Sequence, residues 1–121
     1  MPPKPNAHAL TIEDEMIIAL EVQDLLQELG YSSFDIAATP EDAVHQATRH
    51  RPDLITADVR IVGGTGIEAV RRITQRLGPI PYLYVTGNVD MLREERVPTV
   101  VEKPINHGQF ARAWATVSGL S

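Results

Sequence analysis

The 121 residues predict a single α/β domain: a five-stranded parallel sheet in the order 2-1-3-4-5 with helices on both faces. Three observations carry that expectation. Short apolar, often β-branched runs alternate with stretches of helical periodicity along the whole chain. The connections between them are short, which suits right-handed crossovers between neighbouring parallel strands. Polar residues follow most of the apolar runs directly, where an open parallel sheet places its ligands.

Residues 1–7, with "PPKP", read as a flexible, extended tail, and residues 8–121 as the domain. "ALTI" (9–12) is the first strand. Ile18, Val22, Leu25 and Leu29 then recur at helical spacing, and Gly30 follows as a natural residue beyond a helix end. "SFDIAA" (33–38) is the second strand. Thr39 is an N-cap, Pro40 takes the first helical position, and Glu41 and Asp42 supply first-turn acids for a helix toward His50 that stops before Pro52. "DLITA" (53–57) is the third strand, and after it "VGGTG" (62–66) is a glycine-rich turn. Ile67, Val70, Ile73 and Leu77 share one face of the next helix. "YLYV" (82–85) and "TVV" (99–101) complete the sheet; the 13-residue segment "TGNVDMLREERVP" (86–98) between them leaves room only for a short or irregular fourth helix near Val89–Arg93. The last helix starts near Asn106, with Asn106 and Gln109 spaced like a capping box and Phe110, Trp114 and Val117 turned inward.

Composition excludes several classes of function. The chain has no cysteine, hence no disulfide, thiolate metal site or thiol nucleophile. A net charge of −5 argues against nonspecific nucleic-acid binding, which needs a basic face. No long apolar run or signal-peptide core is present, so the expectation is a soluble, cytoplasmic protein without membrane insertion.

The residues after the strands are Glu13 and Asp14, then Asp58, then Thr86, then Glu102 and Lys103. In the order 2-1-3-4-5 strands 1 and 3 are neighbours, so Glu13, Asp14 and Asp58 converge. Three carboxylates held together repel one another and raise their pKa values unless a cation relieves them. An oxygen-only ligand set suits Mg²⁺, which also accepts phosphate oxygens. Such a site can deliver a phosphoryl group to a carboxylate nucleophile, Asp58, with Thr86 as hydroxyl donor and Lys103 as point charge. Lys103 is one of only two lysines, the other being Lys4 in the tail. Taken singly, each residue has a plain structural explanation: first-turn acids at Glu13 and Asp14, turn residues at Asp58 and Thr86, a surface lysine at Lys103. Their coincidence at one sheet edge in this chain order is what carries chemistry.

These residues, with "EDE", "PDLITADVR", "YVTGN" and "EKP" in sequence, resemble the CheY-like receiver domains of two-component response regulators over residues 8–120. The resemblance implies a flavodoxin-like fold, an acidic pair at Glu13 and Asp14, a phosphoacceptor at Asp58, the hydroxyl at Thr86 and the lysine at Lys103. It also implies a third metal ligand from the backbone carbonyl of Arg60, a cis Lys103–Pro104 bond and a matched glycine at Gly66. The implied partners are a sensor histidine kinase or a histidine phosphotransfer protein, and an unknown downstream protein. "PYLYVTGN" (81–88) is similar to the PFxFATGY motif of a single-domain alphaproteobacterial subgroup, with departures at Val85 and Asn88. The opening "IEDEMIIALEVQDLLQELGY" resembles the receiver half of PhyR-type stress regulators. Two departures from the general family stand out. Val100 replaces the common aromatic three residues before the lysine, which puts the usual threonine-to-aromatic switch in question, and Val62 stands where many receivers have proline.

The expected function is a single-domain response regulator, phosphorylated on Asp58 with Mg²⁺ and signalling through protein contacts rather than acting as an enzyme on other substrates. The alternative is a phosphorylation-independent pseudo-receiver, which the missing aromatic favours and the complete acidic, hydroxyl and lysine set opposes. A small-molecule phosphohydrolase of the haloacid-dehalogenase type would need an acid where Arg60 stands. "GGTG" lacks the Gly-Lys-Ser/Thr of a phosphate loop, and His8, His45, His50 and His107 lack metal-ligand spacing.

Overall fold

The computed structural model describes residues 3–92 and 99–119. The elements run β1 (His8–Ile12), α1 (Met16–Glu28), β2 (Ser33–Ala37), α2 (Pro40–Arg49), β3 (Leu54–Ala57), β4 (Arg60–Ile61), β5 (Gly64–Thr65), α3 (Gly66–Leu77), β6 (Tyr82–Thr86), β7 (Val100–Glu102) and α4 (His107–Val117). A single 3-10 turn spans Val89–Leu92. Five strands pair in parallel in the order β2-β1-β3-β6-β7. With the small β4–β5 hairpin set aside, this is the expected 2-1-3-4-5 order. The fourth helix is that 3-10 turn; Arg93, where the expected helix ends, is outside the described residues.

The central strands β1, β3 and β6 are almost wholly buried because both sheet faces are covered, while the edge strands β2 and β7 are only partly so. Leu10, Ile12, Ile55 and Tyr84 meet Val44, Ala47, Val70 and Ile73 of α2 and α3 on one face. Ala9, Leu54, Leu83 and Val101 meet Val22, Leu26, Phe110 and Trp114 of α1 and α4 on the other. Period-2 alternation along each strand therefore feeds two cores from one sheet.

Local chemistry sets the helix ends. Gly30 has φ +113°, and the amides of Gly30 and Tyr31 donate to the carbonyls of Gln27 and Leu26, closing α1 with a Schellman motif. Thr39 Oγ1 accepts from the Asp42 amide at 3.1 Å, and Asn106 Oδ1 accepts from the Gln109 amide at 2.9 Å, as the sequence led us to expect. Thr65 caps α3 by accepting from the Glu68 amide at 3.0 Å. The glycine-rich turn after Asp58 is more structured than expected: β4 and β5 pair antiparallel around Val62 and Gly63, whose φ of +80° the tight reversal requires.

Residues 4–7, expected to belong to a loose tail, make a turn in which the Ala7 amide donates to the Lys4 carbonyl, and Ala7 is buried. Lys4 Nζ is 3.0 Å from Asp53 Oδ1. Among the described residues no helix is long and apolar enough to cross a membrane.

Candidate functional site at the carboxyl edge of the sheet

Backbone pairing fixes the site before any side chain does. The Glu13 amide donates to Ala37, that of Asp58 to Ile12, and that of Lys103 to Thr86, each continuing the parallel ladder one residue beyond a strand. Glu13, Asp58 and Lys103 therefore leave the sheet at the same level from β1, β3 and β7.

Their side chains meet there. Lys103 Nζ donates to Glu13 Oε1 and to Asp58 Oδ2, both at 2.8 Å. Glu13 and Asp58 are buried, whereas Asp14 is exposed; carboxylate oxygens from all three lie within 4.8 Å of one another. Burial raises the Glu13 pKa to about 7, against the lowering influence of the Lys103 hydrogen bond. Burial also acts to lower the Lys103 pKa, but its hydrogen bonds to Asp58 and Glu13 outweigh that and leave it above the usual value. The Lys103–Pro104 peptide is cis.

Thr86, fully buried at the end of β6, accepts from the Asn88 amide through Oγ1 at 3.0 Å. Its own hydroxyl proton is left to donate. Arg60 opens β4 two residues after Asp58, with an exposed side chain.

One feature escaped sequence reasoning, and Gly66, which the resemblance implied, gains its physical reason from the structure. Asp58 Oδ1 is buried with no hydrogen-bond partner among the described residues. A buried carboxylate oxygen without a partner is costly unless a cation or an incoming group meets it. Gly66 supports the same residue from behind: a Cβ there would come within 1.9 Å of the Asp58 carbonyl oxygen. The glycine is needed for close approach, with its amide donating to the Val59 carbonyl at 2.8 Å. Sequence offers no direct signal for the first, and only the spacing from Asp58 for the second.

Spacing along the chain gave the histidines no metal geometry; the fold nevertheless brings His8 and His50 together with Asp35 at the opposite edge of the sheet.

The edge chemistry agrees with comparison to known proteins. The family model for the response regulator receiver domain matches residues 9–113. The chain belongs to the receiver domain family of response regulators.

This receiver is 33% identical over 88 residues to the transcriptional regulatory protein PdtaR of Mycobacterium tuberculosis, covering 72% of this chain and 43% of PdtaR. It is 30% identical over 93 residues to sporulation initiation phosphotransferase F of Bacillus subtilis, covering 75% of this chain and 74% of that protein. The receiver domain of PhyR from Erythrobacter litoralis superposes with a TM-score of 0.83 at 26% identity, over 93% of this chain and 90% of that one. The chain thus spans less than half of PdtaR. The resemblance places it in two-component signalling, with the α/β receiver fold.

Proposed function

We propose that this receiver accepts a phosphoryl group on Asp58 from a phosphohistidine of a sensor kinase or phosphotransfer protein, in the presence of Mg²⁺, and signals through protein contacts. The observation that carries this reading is the pair of unlike oxygens on Asp58. Oδ2 is engaged by Lys103 at 2.8 Å, while Oδ1 is buried and unpartnered. One oxygen is oriented and the other is left to attack.

The donor set fits Mg²⁺, since Glu13, Asp14 and Asp58 offer only oxygens and, among the described residues, no histidine joins their group. Glu13, Asp14 and Asp58 would hold the ion, with the Arg60 carbonyl. When bound, Mg²⁺ supplies positive charge that shields the carboxylates from an approaching phosphoryl group. Asp58 Oδ1 forms the new bond to phosphorus as the phosphorus–nitrogen bond of the donor breaks and the imidazole leaves with its electron pair. Lys103 and the Thr86 hydroxyl then meet the charge on the phosphoryl oxygens. The burial of Thr86 and Asp58 limits water in the site.

An apolar docking surface adjoins the site. Met16, Ile17 and Leu20 of α1 are exposed, Ile17 at 83%, within a turn or two of Asp14. Exposed apolar side chains grouped on one helix suit a protein partner.

The competing reading, a module that works without phosphorylation, draws on Val100, which pairs in register with Tyr84 where receivers commonly carry an aromatic. Intact-mass measurement with acetyl phosphate, with and without Mg²⁺, separates the two. A covalent adduct that needs Mg²⁺ and vanishes in Asp58→Asn is expected. No adduct in the wild type, or an undiminished one in Asp58→Asn, refutes the assignment.

A further inference from the structure

At the amino edge of the sheet, away from Asp58, two imidazoles lie face to face. The ring centroids of His8 and His50 are 3.6 Å apart and their planes differ by 8°. His8 opens β1 and its side chain is only 3% exposed; His50, the C-cap residue of α2, is exposed. Both nitrogens of His8 are engaged, Nδ1 at 2.7 Å from Ser33 Oγ and Nε2 at 2.9 Å from Asp35 Oδ2. Asp53 fixes the backbone of His8 by accepting from its amide at 2.8 Å and donating to its carbonyl at 2.7 Å. One ligand atom each from His8, Asp35 and His50 falls within a 4.8 Å group.

We propose that His8, His50 and Asp35 form a binding site for a transition-metal dication, Zn²⁺ foremost, at the edge of the sheet opposite the phosphoacceptor.

The ligand chemistry selects the ion. Two imidazoles and one carboxylate, completed by water, make the open tetrahedral set that Zn²⁺ takes, whereas Mg²⁺ prefers oxygens alone. Cu²⁺ and Ni²⁺ are the natural competitors for nitrogen ligands. The geometry lies close to what coordination needs on one side. With metal–ligand bonds of about 2.0 Å, two ligands of a tetrahedron sit about 3.3 Å apart. The His8–Asp35 pair at 2.9 Å therefore has to open by only about 0.4 Å to admit the ion.

His50 must do the moving. Imidazole lone pairs lie in the ring plane, so two parallel rings cannot point at one metal. His50 is exposed at a helix end and free to turn its ring toward the shared point. The face-to-face sandwich it leaves is the arrangement that aromatic quadrupoles favour least. Ser33 supplies the supporting contact: as Nε2 gives up its hydrogen for the metal, the neutral ring carries its proton on Nδ1 and donates to Ser33 Oγ. The ligands come from β1, β2 and the end of α2, which approach only in the folded chain, so binding would add to fold stability.

Calorimetric titration of the tag-free full chain with ZnCl₂ tests this, with excess Mg²⁺ present to occupy the carboxylate cleft and thermal melts run in parallel. One Zn²⁺ per chain and a raised melting temperature are expected. His50→Gln and Asp35→Asn should each weaken binding about tenfold or more, with Asp58→Asn equal to wild type. Substituting Co²⁺ should give the visible absorption of a tetrahedral nitrogen-containing site, lost in His50→Gln. The site is refuted if Zn²⁺ fails to bind beside excess Mg²⁺, if His50→Gln binds as wild type does, or if Asp58→Asn alone abolishes binding.

Discussion

Glu13 holds its proton into the neutral range because burial disfavours its carboxylate, and the Lys103 hydrogen bond offsets this only in part. Its pKa of about 7 in the fold exceeds the ordinary 4.5, so the folded metal-free chain binds this proton more tightly than the unfolded one. That contribution to stability is complete below about 4.5 and disappears as pH rises through about 7. With Glu13 as the Mg²⁺ ligand proposed above, binding requires its deprotonated form, so the apparent affinity should fall as pH drops below about 7, by up to about tenfold per unit for one displaced proton. Magnesium titrations at mildly acidic and mildly alkaline pH check this, and Glu13→Gln should flatten the dependence along with weakening the binding. Equal wild-type affinity at both pH values would contradict it. The approach of Glu13, Asp58 and Lys103 was legible in the sequence because each follows an apolar run and the sheet order does the rest. The division of labour between the two oxygens of Asp58 was not, since it depends on where one ammonium group points. The contact between His8 and His50 was equally invisible, because spacing along the chain says nothing about a strand start meeting a helix end.

The β4–β5 hairpin and the start of α3 form the element that holds Asp58 in place. Gly66 opens α3 against the Asp58 carbonyl, and Thr65 caps the same helix. Gly66→Ala would force a Cβ to within 1.9 Å of backbone oxygen, so the loop carrying Asp58 has to shift. We expect a loss of about 1–3 kcal/mol in stability together with slower labelling by acetyl phosphate, read by urea denaturation and intact mass. A substitution that leaves both unchanged would mean the loop yields freely. The five main strands and the caps at Thr39 and Asn106 could be read from periodicity and cap residues. The hairpin could not, because two-residue strands are too short to show alternation. Strand ends moved by about a residue for a similar reason: His8 and Thr86 are polar and look like flanks, yet their backbone pairs in the ladder.

The whole molecule is one sheet shared by two cores, with α2 and α3 on one face and α1 and α4 on the other. Neither core can be lost alone, since removing either pair of helices strips one face of the same five strands. Unfolding should therefore be a single cooperative transition, with backbone circular dichroism and exchange of core amides on β1 and β3 reporting the same free energy. Separate midpoints for the two faces would show them to be independent. The chain's single tryptophan, Trp114, is buried on the α4 face, where its indole N–H donates to the Tyr31 hydroxyl at 2.9 Å and the two rings meet edge to face at 6.4 Å. That pair gives the protein an intrinsic fluorophore with its own energy donor, seated at the amino edge of the sheet, remote from Asp58. Any change in its emission when Asp58 is modified would mean that the disturbance has crossed the full length of the strands.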